Sequence, residues 1–201
     1  MDPQPRSLSL AIELVALSVW LGATALFAAV VAPALFDALP SRTMAGDVVG
    51  RVLPALLLSG VVISLVVGLL EAMAQNAIFT AHWTPGSRAP DSNDVVHFGG
   101  ARLAGQRAGA GFLIGVVCLW ALQIGQKIDK LRASVGQPID ALPVSDPRRV
   151  EFGRLHALSV AVLGVAMLFA AGLAFSAARR LVGRDAARRT FQPSLEPSHH
   201  A

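Results

Sequence analysis

Four long runs without a formal charge restrict what this chain can fold into. They cover residues 14–36, 52–70, 108–126 and 157–178, and they hold 23, 19, 19 and 22 residues. About 20 apolar residues in a helix are enough to cross the hydrocarbon core of a bilayer. A lipid-exposed backbone must satisfy its hydrogen bonds within its own segment, so runs of this length predict helices. The sequence therefore predicts an all-α, polytopic membrane protein with a four-helix transmembrane bundle.

The composition agrees with this fold class. Of the 201 residues, 54% are hydrophobic and 15% are charged, and the mean hydropathy is +0.57. A soluble domain carries about 25% charged residues, so this chain has too little polar surface to cover a globule in water. The net charge of +4 and the pI near 10.5 would suggest nucleic-acid binding in a soluble protein. Here the basic residues lie between and after the apolar runs, where they set orientation or contact lipid headgroups. We expect the lipid bilayer as a partner and no nucleic acid.

The chain divides into a membrane domain, residues 1–183, and a tail, residues 184–201, that is expected to be disordered. The expected spans are residues 9–36, 52–72, 104–126 and 154–178. The first run exceeds the roughly 7–15 apolar residues of a signal peptide, so we expect it to remain as a span. Ser41 is well placed to cap a helix that continues into the second span.

Four spans would place both termini on one side of the membrane. Nine Lys and Arg residues fall on the terminal side and eight on the other. The positive-inside rule does not decide between such similar numbers. The dense arginine cluster after the fourth run favours termini in the cytoplasm.

Small residues recur at helical spacing in every span and predict where the helices pack. Examples are Gly60, Ser64 and Gly68 in the second span and Gly111 and Gly115 in the third. Small residues allow close approach of helix backbones in lipid. Because every span has such a face, packing within one chain is favoured, and a homo-oligomer or a membrane partner is left open.

One set of charged residues is expected on the terminal side. Glu13 opens the first span, Glu71 closes the second, and Arg107 lies at the start of the third. A carboxylate in an apolar span is costly unless it is paired, so Arg107 is the expected counter-ion for Glu13 or Glu71. The cluster is interpreted either as a proton or cation relay or as a structural ion pair.

A second candidate polar site is expected on the opposite side, where Asp37, Arg51, Arg154 and His156 lie at the ends of three spans. Arg154 and His156 are two residues apart, which places them about 200° apart around a helix. We therefore expect one of them to face the bundle. His156 is the expected inward residue because it shares its face of the helix with Ser159 and Leu163, and the near-neutral pKa of a free histidine suits a proton-linked role. Arg154 would then anchor the helix end.

Two segments carry a resemblance to a known family. The first contains WLG (20–22), APALF (32–36), LPS (39–41) and VGR (49–51), and the second is FGRLHALS (152–159). They resemble small bacterial membrane proteins that share a domain of unknown function and have transmembrane protein 205 as a eukaryotic relative. A more distant similarity is to the membrane domain of copper-resistance protein D. The resemblance covers roughly a third of the chain and implies four spans in a bacterial inner-membrane protein.

The resemblance also bears on function, since the eukaryotic member is associated with resistance to platinum drugs, which implies export or metal handling. The chain departs from a copper carrier, however, because no Met or His pair has ligand spacing within a span. We expect no resident metal and no cofactor. A surface metal site at His82 and His97 is disfavoured, because these histidines are fifteen residues apart and have no carboxylate near them in the sequence except Asp91 and Asp94.

Two classes of function follow. One is a small transporter, or an efflux or resistance component, for an ion or small solute. The other is a non-catalytic membrane scaffold or partner subunit. A transporter predicts a water-accessible cavity that reaches Arg154 and His156, whereas a scaffold predicts a dry, fully packed bundle. No enzymatic activity is expected, because the sequence has no Ser/His/Asp set, no phosphate loop and no HExxH motif.

Overall fold

The computed structural model describes the backbone of residues 4–82 and 94–191, and the side chains of residues 8–73 and 105–183. Over these residues the chain is helical and contains no strand. The α-helices are α1 (Gln4–Leu26), α2 (Ala32–Ala38), α3 (Arg42–His82), α4 (Asp94–Val135) and α5 (Pro147–Phe191), of which α1, α3, α4 and α5 are long. A π-helical turn, Phe27–Val31, joins α1 to α2, and a 3₁₀ turn, Ile139–Ala141, lies between α4 and α5.

Four helical segments in the described residues are long and apolar enough to cross a membrane. They are Leu8–Ala38, Arg42–Met73, Gly105–Val135 and Pro147–Gly183, with 31, 32, 31 and 37 residues. Each is longer than the roughly 20 residues that a span requires, so the helices tilt or extend beyond the hydrocarbon core. The predicted all-α, four-helix membrane architecture is confirmed.

The first span contains a widened turn next to a proline. The backbone N–H of Ala32 donates to the carbonyl oxygen of Phe27, five residues earlier. Pro33 follows directly, and in a regular α-helix its ring would collide with the carbonyl of Ala29. The wider π-helical turn makes room for this ring, so the span continues through α2 rather than ending at the proline.

The second span begins at the predicted cap. The Ser41 hydroxyl accepts a hydrogen bond from the backbone N–H of Met44 at 3.2 Å, which satisfies one donor of the first turn of α3. From there α3 runs without a break through Pro54 to His82. The helix that begins at the membrane surface and the second span are therefore one element, as expected from the sequence.

The four long helices form a bundle in which α3 packs on α4, α4 on α5, α5 on α1, and α1 on α3. The core between them contains Leu17 and Trp20 from α1, Leu57 from α3, Ile114 from α4 and Ala166 from α5. Most other large apolar side chains point away from this core, as expected for helices that face lipid.

The small residues of α3 and α4 pack against each other. A Cβ atom added to Gly111 would lie 3.1 Å from the backbone nitrogen of Gly68, and one added to Gly115 would collide with the Ser64 hydroxyl. A Cβ on Gly60 would lie 2.8 Å from the Trp20 ring. These contacts lie within one chain, which agrees with the favoured interpretation of the sequence motifs.

The connection between α4 and α5 ends in a defined cap. Asp146 accepts a hydrogen bond from the Arg148 backbone N–H at 2.8 Å, and Pro147 occupies the first helical position. The side chain of Arg148 also binds this carboxylate, and these hydrogen bonds hold the pKa of Asp146 below its usual value. Arg149 reaches back to the Leu142 carbonyl at 2.6 Å, so the cap and the loop are joined.

The last helix is longer than the sequence indicated. Residues 184–191, expected to belong to a disordered tail, are helical because α5 continues to Phe191. This stretch has no Gly or Pro and is rich in Ala and Arg, which have high helix propensity. Residues 192–201, the rest of the predicted tail, lie outside the described residues.

The fold predicts that both termini lie on the same side of the membrane. In a Cys118→Ser background, single cysteines at Ser7 and at Ser194 should react equally with a membrane-impermeant maleimide in vesicles of one orientation. A cysteine at Val144, which is exposed between α4 and α5, should have the opposite accessibility, so it is protected in those vesicles in which the two terminal cysteines react. Opposite labelling of Ser7→Cys and Ser194→Cys would contradict the four-span topology.

Candidate functional site

Each of the four long helices contributes one charged side chain to a cluster near the terminal side of the bundle. These are Glu13 from α1, Glu71 from α3, Arg107 from α4 and Arg180 from α5. We call these four residues the charge cluster. All four lie inside the membrane-spanning segments, so the charges meet between apolar helices rather than in a loop.

Arg107 is the centre of the cluster. Its Nη2 donates to Glu13 Oε1 at 2.6 Å, and its Nε donates to Glu71 Oε1 at 2.7 Å. The exposed fractions of Glu13, Glu71 and Arg107 are 2%, 4% and 7%. The structure thus brings together the three residues that were expected to share a polar cluster, and Arg107 binds both carboxylates rather than one of them.

The way Arg107 binds the two carboxylates is unusual. The Nε and Nη2 atoms form one edge of the planar guanidinium, and this edge ordinarily binds both oxygens of a single carboxylate. Here each atom binds an oxygen of a different glutamate. The two carboxyl groups are therefore held side by side, although both are buried. On the adjoining edge, Arg107 Nη1 is buried and has no hydrogen-bond partner among the described residues.

Arg180 is the residue of the cluster that the sequence reasoning missed. Its Nη1 lies 3.7 Å from Glu71 Oε2, and its side chain is 35% exposed, far more than the other three. Leu173 and Ala177 belong to the buried face of α5, and Arg180 continues that face three residues later, so the rotation of α5 selects it from the arginines that follow the fourth run. In the sequence analysis, the arginines after the fourth run served only to predict the orientation of the chain in the membrane.

Burial makes the charges of the cluster interdependent. Removing a carboxylate or a guanidinium from water is costly, and this cost is recovered only while opposite charges remain close. A change in the charge of one member therefore changes the pairing of the others. Since each member belongs to a different helix, these ion pairs join all four long helices.

The second candidate polar site does not form. The side chains of Asp37, Arg51, Arg154 and His156 are all exposed. Arg154 is 81% exposed and lies 3.9 Å from Glu151 of its own helix. The His156 ring stacks on Phe152 at a centroid separation of 6.2 Å, also within α5. The expectation that His156 faces the bundle interior is therefore wrong, and no hydrogen bond or ion pair of the described residues joins Asp37 or Arg51 to Arg154 or His156.

The reason lies in the rotation of α5. Its buried face contains Val162, Ala166 and Ala170, and Leu155 continues this face toward the start of the helix with partial burial. Arg154 and His156 flank Leu155, each about 100° away around the helix axis. The predicted angle between Arg154 and His156 around the helix is therefore right. Leu155, which lies between them, faces inward, and this leaves both polar side chains outside the bundle.

A different arginine joins the helices on this side. Arg132 of α4 lies 3.2 Å from Asp47 and donates to the Thr43 carbonyl at 3.3 Å, both at the start of α3. A Cβ atom on Gly46 would lie 2.7 Å from the Arg132 guanidinium, so a small residue is needed for this approach. Nothing in the sequence distinguished Arg132 from the neighbouring lysines Lys127 and Lys130.

No group of three His, Cys, Asp or Glu residues suited to a metal ion occurs among the described residues. His82, Asp91, Asp94 and His97, considered for a surface metal site, have side chains outside the described set. An apolar depression lies on the outer face of α1, lined by Ala11, Ile12, Val15 and Ala16. It does not reach Arg154 or His156.

Comparison with known proteins gives one partial match to a family. Residues 15–92 match the model of a family described as a domain of unknown function, DUF4149. The match covers fewer than half of the residues; it includes most of the first span, the second span and Glu71, but not Glu13. No curated protein and no solved structure matches the chain. The resemblance to transmembrane protein 205 and to copper-resistance protein D stays a prediction.

Proposed function

We propose that this chain is a small proton-linked transporter, or the membrane subunit of one, and that the charge cluster is its ion-binding element. The observation that carries the proposal is Arg107, buried in the bundle and bound to carboxylates from two other helices. Ionisable residues inside membrane spans are costly, and in transporters and pumps they mark ion pathways and proton relays.

The position of the cluster suits a transport cycle. Transporters couple ion binding to movement of helices against one another, and this requires that the bound ion changes contacts between helices. Here Arg107 on α4 connects α1 through Glu13 and α3 through Glu71, and Arg180 extends the cluster to α5. Adding or removing one charge at this point changes the attraction between all four helices.

The cargo belongs to the class of ions or small solutes, in line with the resistance phenotype of the eukaryotic relative that the sequence resembles. The proposal places the protein in the bacterial inner membrane with both termini in the cytoplasm. It assigns no enzymatic reaction to the chain. The charge cluster, rather than Arg154 and His156, is proposed as the site where coupling occurs.

Exchange of protons for a solute tests the proposal. Everted membrane vesicles that contain the protein are energised by respiration, and a pH-sensitive dye reports the proton gradient. A panel of inorganic cations, platinum complexes and small organic cations is then added. At least one solute should dissipate the gradient in vesicles with the wild-type protein, and Glu13→Gln should reduce this response to that of vesicles without the protein.

The matched control is Asp37→Asn, which neutralises an exposed carboxylate at the opposite end of the first span. It should leave the response unchanged. If no solute dissipates the gradient although the protein is folded and inserted, the proposal is wrong and the scaffold function is favoured. The scaffold has one supporting observation, since Gly22, Gly164 and Gly172 have no neighbour that a Cβ would meet within 4 Å. Such faces are suited to a partner helix.

A further inference from the structure

We propose that the charge cluster binds one proton between the carboxyl groups of Glu13 and Glu71, and that Arg180 is the counter-ion that this proton replaces. The inference deepens the proposed function, because it names the residues that hold the coupling proton and the counter-ion that the proton replaces. It rests on that function for its biological role, whereas occupancy by the proton can be measured without transport.

The first step is the separation of the two carboxyl groups. They bind neighbouring atoms, Nε and Nη2, on one edge of the Arg107 guanidinium, at 2.7 and 2.6 Å, so the two bound oxygens lie close to each other. Two ionised carboxylates at such a distance repel each other strongly in a buried site. A single proton shared between them removes the repulsion and adds a hydrogen bond, as in other carboxyl pairs.

The second step is the charge of the buried part of the cluster. Two carboxylates and one guanidinium, all more than nine-tenths buried, carry a net charge of −1 when both acids are ionised. A buried net charge is costly, so one positive charge is needed. Either Arg180 supplies it from 3.7 Å, or a proton supplies it directly. These two states are neutral, whereas the state with both the proton and Arg180 in place carries +1.

The third step is the position of Arg180. Its side chain is 35% exposed, whereas the Glu71 side chain that it approaches is 4% exposed. Arg180 can therefore turn toward water while Arg107 cannot. Proton binding at the carboxyl pair weakens the attraction that holds Arg180 near Glu71. The part of α5 around Arg180 is then less tightly bound to α3, so binding of the proton changes how these two helices pack.

The buried Nη1 group of Arg107 can bind the water molecule that delivers the proton. Nη1 is buried without a partner among the described residues, and an unsatisfied guanidinium donor is costly. Nη1 shares the adjoining edge of the guanidinium with Nη2, which binds Glu13. A hydronium ion arriving from the terminal side transfers its proton to a carboxylate oxygen. The water that remains can accept a hydrogen bond from Nη1, and the new carboxyl O–H donates to the second carboxylate.

No other titratable side chain of the described residues is paired with this carboxyl pair. Arg107 faces it from α4 and Arg180 from α5, while α1 and α3 contribute the two acids themselves. Arginine keeps its proton in proteins. A change in protonation within the cluster is therefore assigned to the carboxyl pair.

Infrared spectroscopy of the purified full-length protein in lipid nanodiscs tests the inference. A protonated carboxylic acid has a carbonyl stretching band that the ionised form lacks. In the wild-type protein this band should persist at a pH where exposed carboxylates, with pKa values of about 4, are ionised. It should then disappear in a single titration, and both Glu13→Gln and Glu71→Gln should abolish it.

The comparison between two adjacent arginines tests the role of Arg180. Arg180→Gln should move the midpoint of the titration upward by about one pH unit or more, because an opposite charge that favours ionisation is lost. Arg179→Gln should leave the midpoint unchanged, since Arg179 is exposed and lies over the Phe175 ring instead. Equal midpoints for the two variants would overturn the role of Arg180 even if a glutamate variant fails to fold.

A wild-type protein without the persistent carboxylic acid band would overturn the proton site. If solute-driven proton exchange is nevertheless observed, the proposed function stands and the inference about Glu13 and Glu71 fails. A titrating band in a protein that exchanges no solute for protons supports the inference and contradicts the proposed function. The two failures are therefore distinguishable.

Discussion

Replacement of Arg107 by methionine is expected to lower the free energy of unfolding by about 3–5 kcal/mol, the typical cost of removing one partner from a buried ion pair. Methionine fills much of the same space but leaves Glu13 and Glu71 without the guanidinium that binds both of them at 2.6 and 2.7 Å. The measurement is thermal or denaturant unfolding in detergent micelles, followed by circular dichroism.

The matched control is Arg154→Met, which removes an arginine that is 81% exposed and 3.9 Å from Glu151. Surface substitutions of this kind change stability by about 0.5 kcal/mol or less. The loss caused by Arg107→Met should also shrink as the pH falls, because protonation of the two glutamates removes their uncompensated charge. A variant as stable as the wild type at neutral pH would contradict the burial of the cluster.

A triple variant separates the loss of an interaction from the presence of unpaired charge. Arg107→Met combined with Glu13→Gln and Glu71→Gln contains no buried charge at these three positions, and the two new amides can bond to each other. Replacing all members of a buried ion cluster is often neutral or stabilising. We therefore expect the triple variant to be more stable than Arg107→Met alone.

Gly111→Ala is expected to destabilise the bundle by about 1–3 kcal/mol, the usual cost of inserting a methyl group into a well-packed interface. The added Cβ would lie 3.1 Å from the nitrogen and 3.2 Å from the Cα atom of Gly68. Both atoms belong to the backbone of α3, so neither can turn away as a side chain would. The two helices must move apart along their shared contact, which is measured by the same unfolding experiment.

Gly109→Ala provides the control two residues away on α4. A Cβ there meets no atom within 4 Å, and alanine favours a helix over glycine by about 1 kcal/mol. This variant should be as stable as the wild type or slightly more stable. If Gly111→Ala behaves in the same way, the close approach of α3 and α4 at Gly68 is wrong.

Much of the architecture followed from the length of apolar runs. Each of the four runs is long enough for a membrane span, and helices are the structures that satisfy the backbone of such a run in lipid. The position of Ser41 also indicated where α3 begins, since capping depends on neighbouring residues. The end of α5 was missed because the polar sequence of residues 184–191 was interpreted as a tail, although its helix propensity is high.

The charge cluster shows which part of a membrane site can be inferred from the sequence. Glu13, Glu71 and Arg107 lie at similar distances from the ends of their spans, and the cost of an unpaired charge in lipid requires that they meet. The same reasoning did not identify Arg180. Several arginines follow the fourth run, and the rotation of α5 selects the one that continues the buried face after Ala177.

The opposite end shows where such inference fails. Asp37, Arg51, Arg154 and His156 were grouped by depth alone, and the structure leaves all four exposed. These side chains can reach water or headgroups by themselves, so no energetic requirement brings them together. The contact that does form uses Arg132 and the backbone of Thr43, and it depends on how α4 packs on the start of α3.

The sequence by itself determined the fold class, the number of spans and the depth of each ionisable residue, because these depend on distance along one helix at about 1.5 Å per residue. Only the tertiary structure decided which side of each helix faces its neighbours. That rotation is set by side chains from different helices, such as Gly68 against Gly111 and Trp20 against Gly60. This rotation places two carboxylates on one edge of Arg107 and turns His156 outward. Neither result is specified by one helix alone, because each depends on how a helix packs against its neighbours.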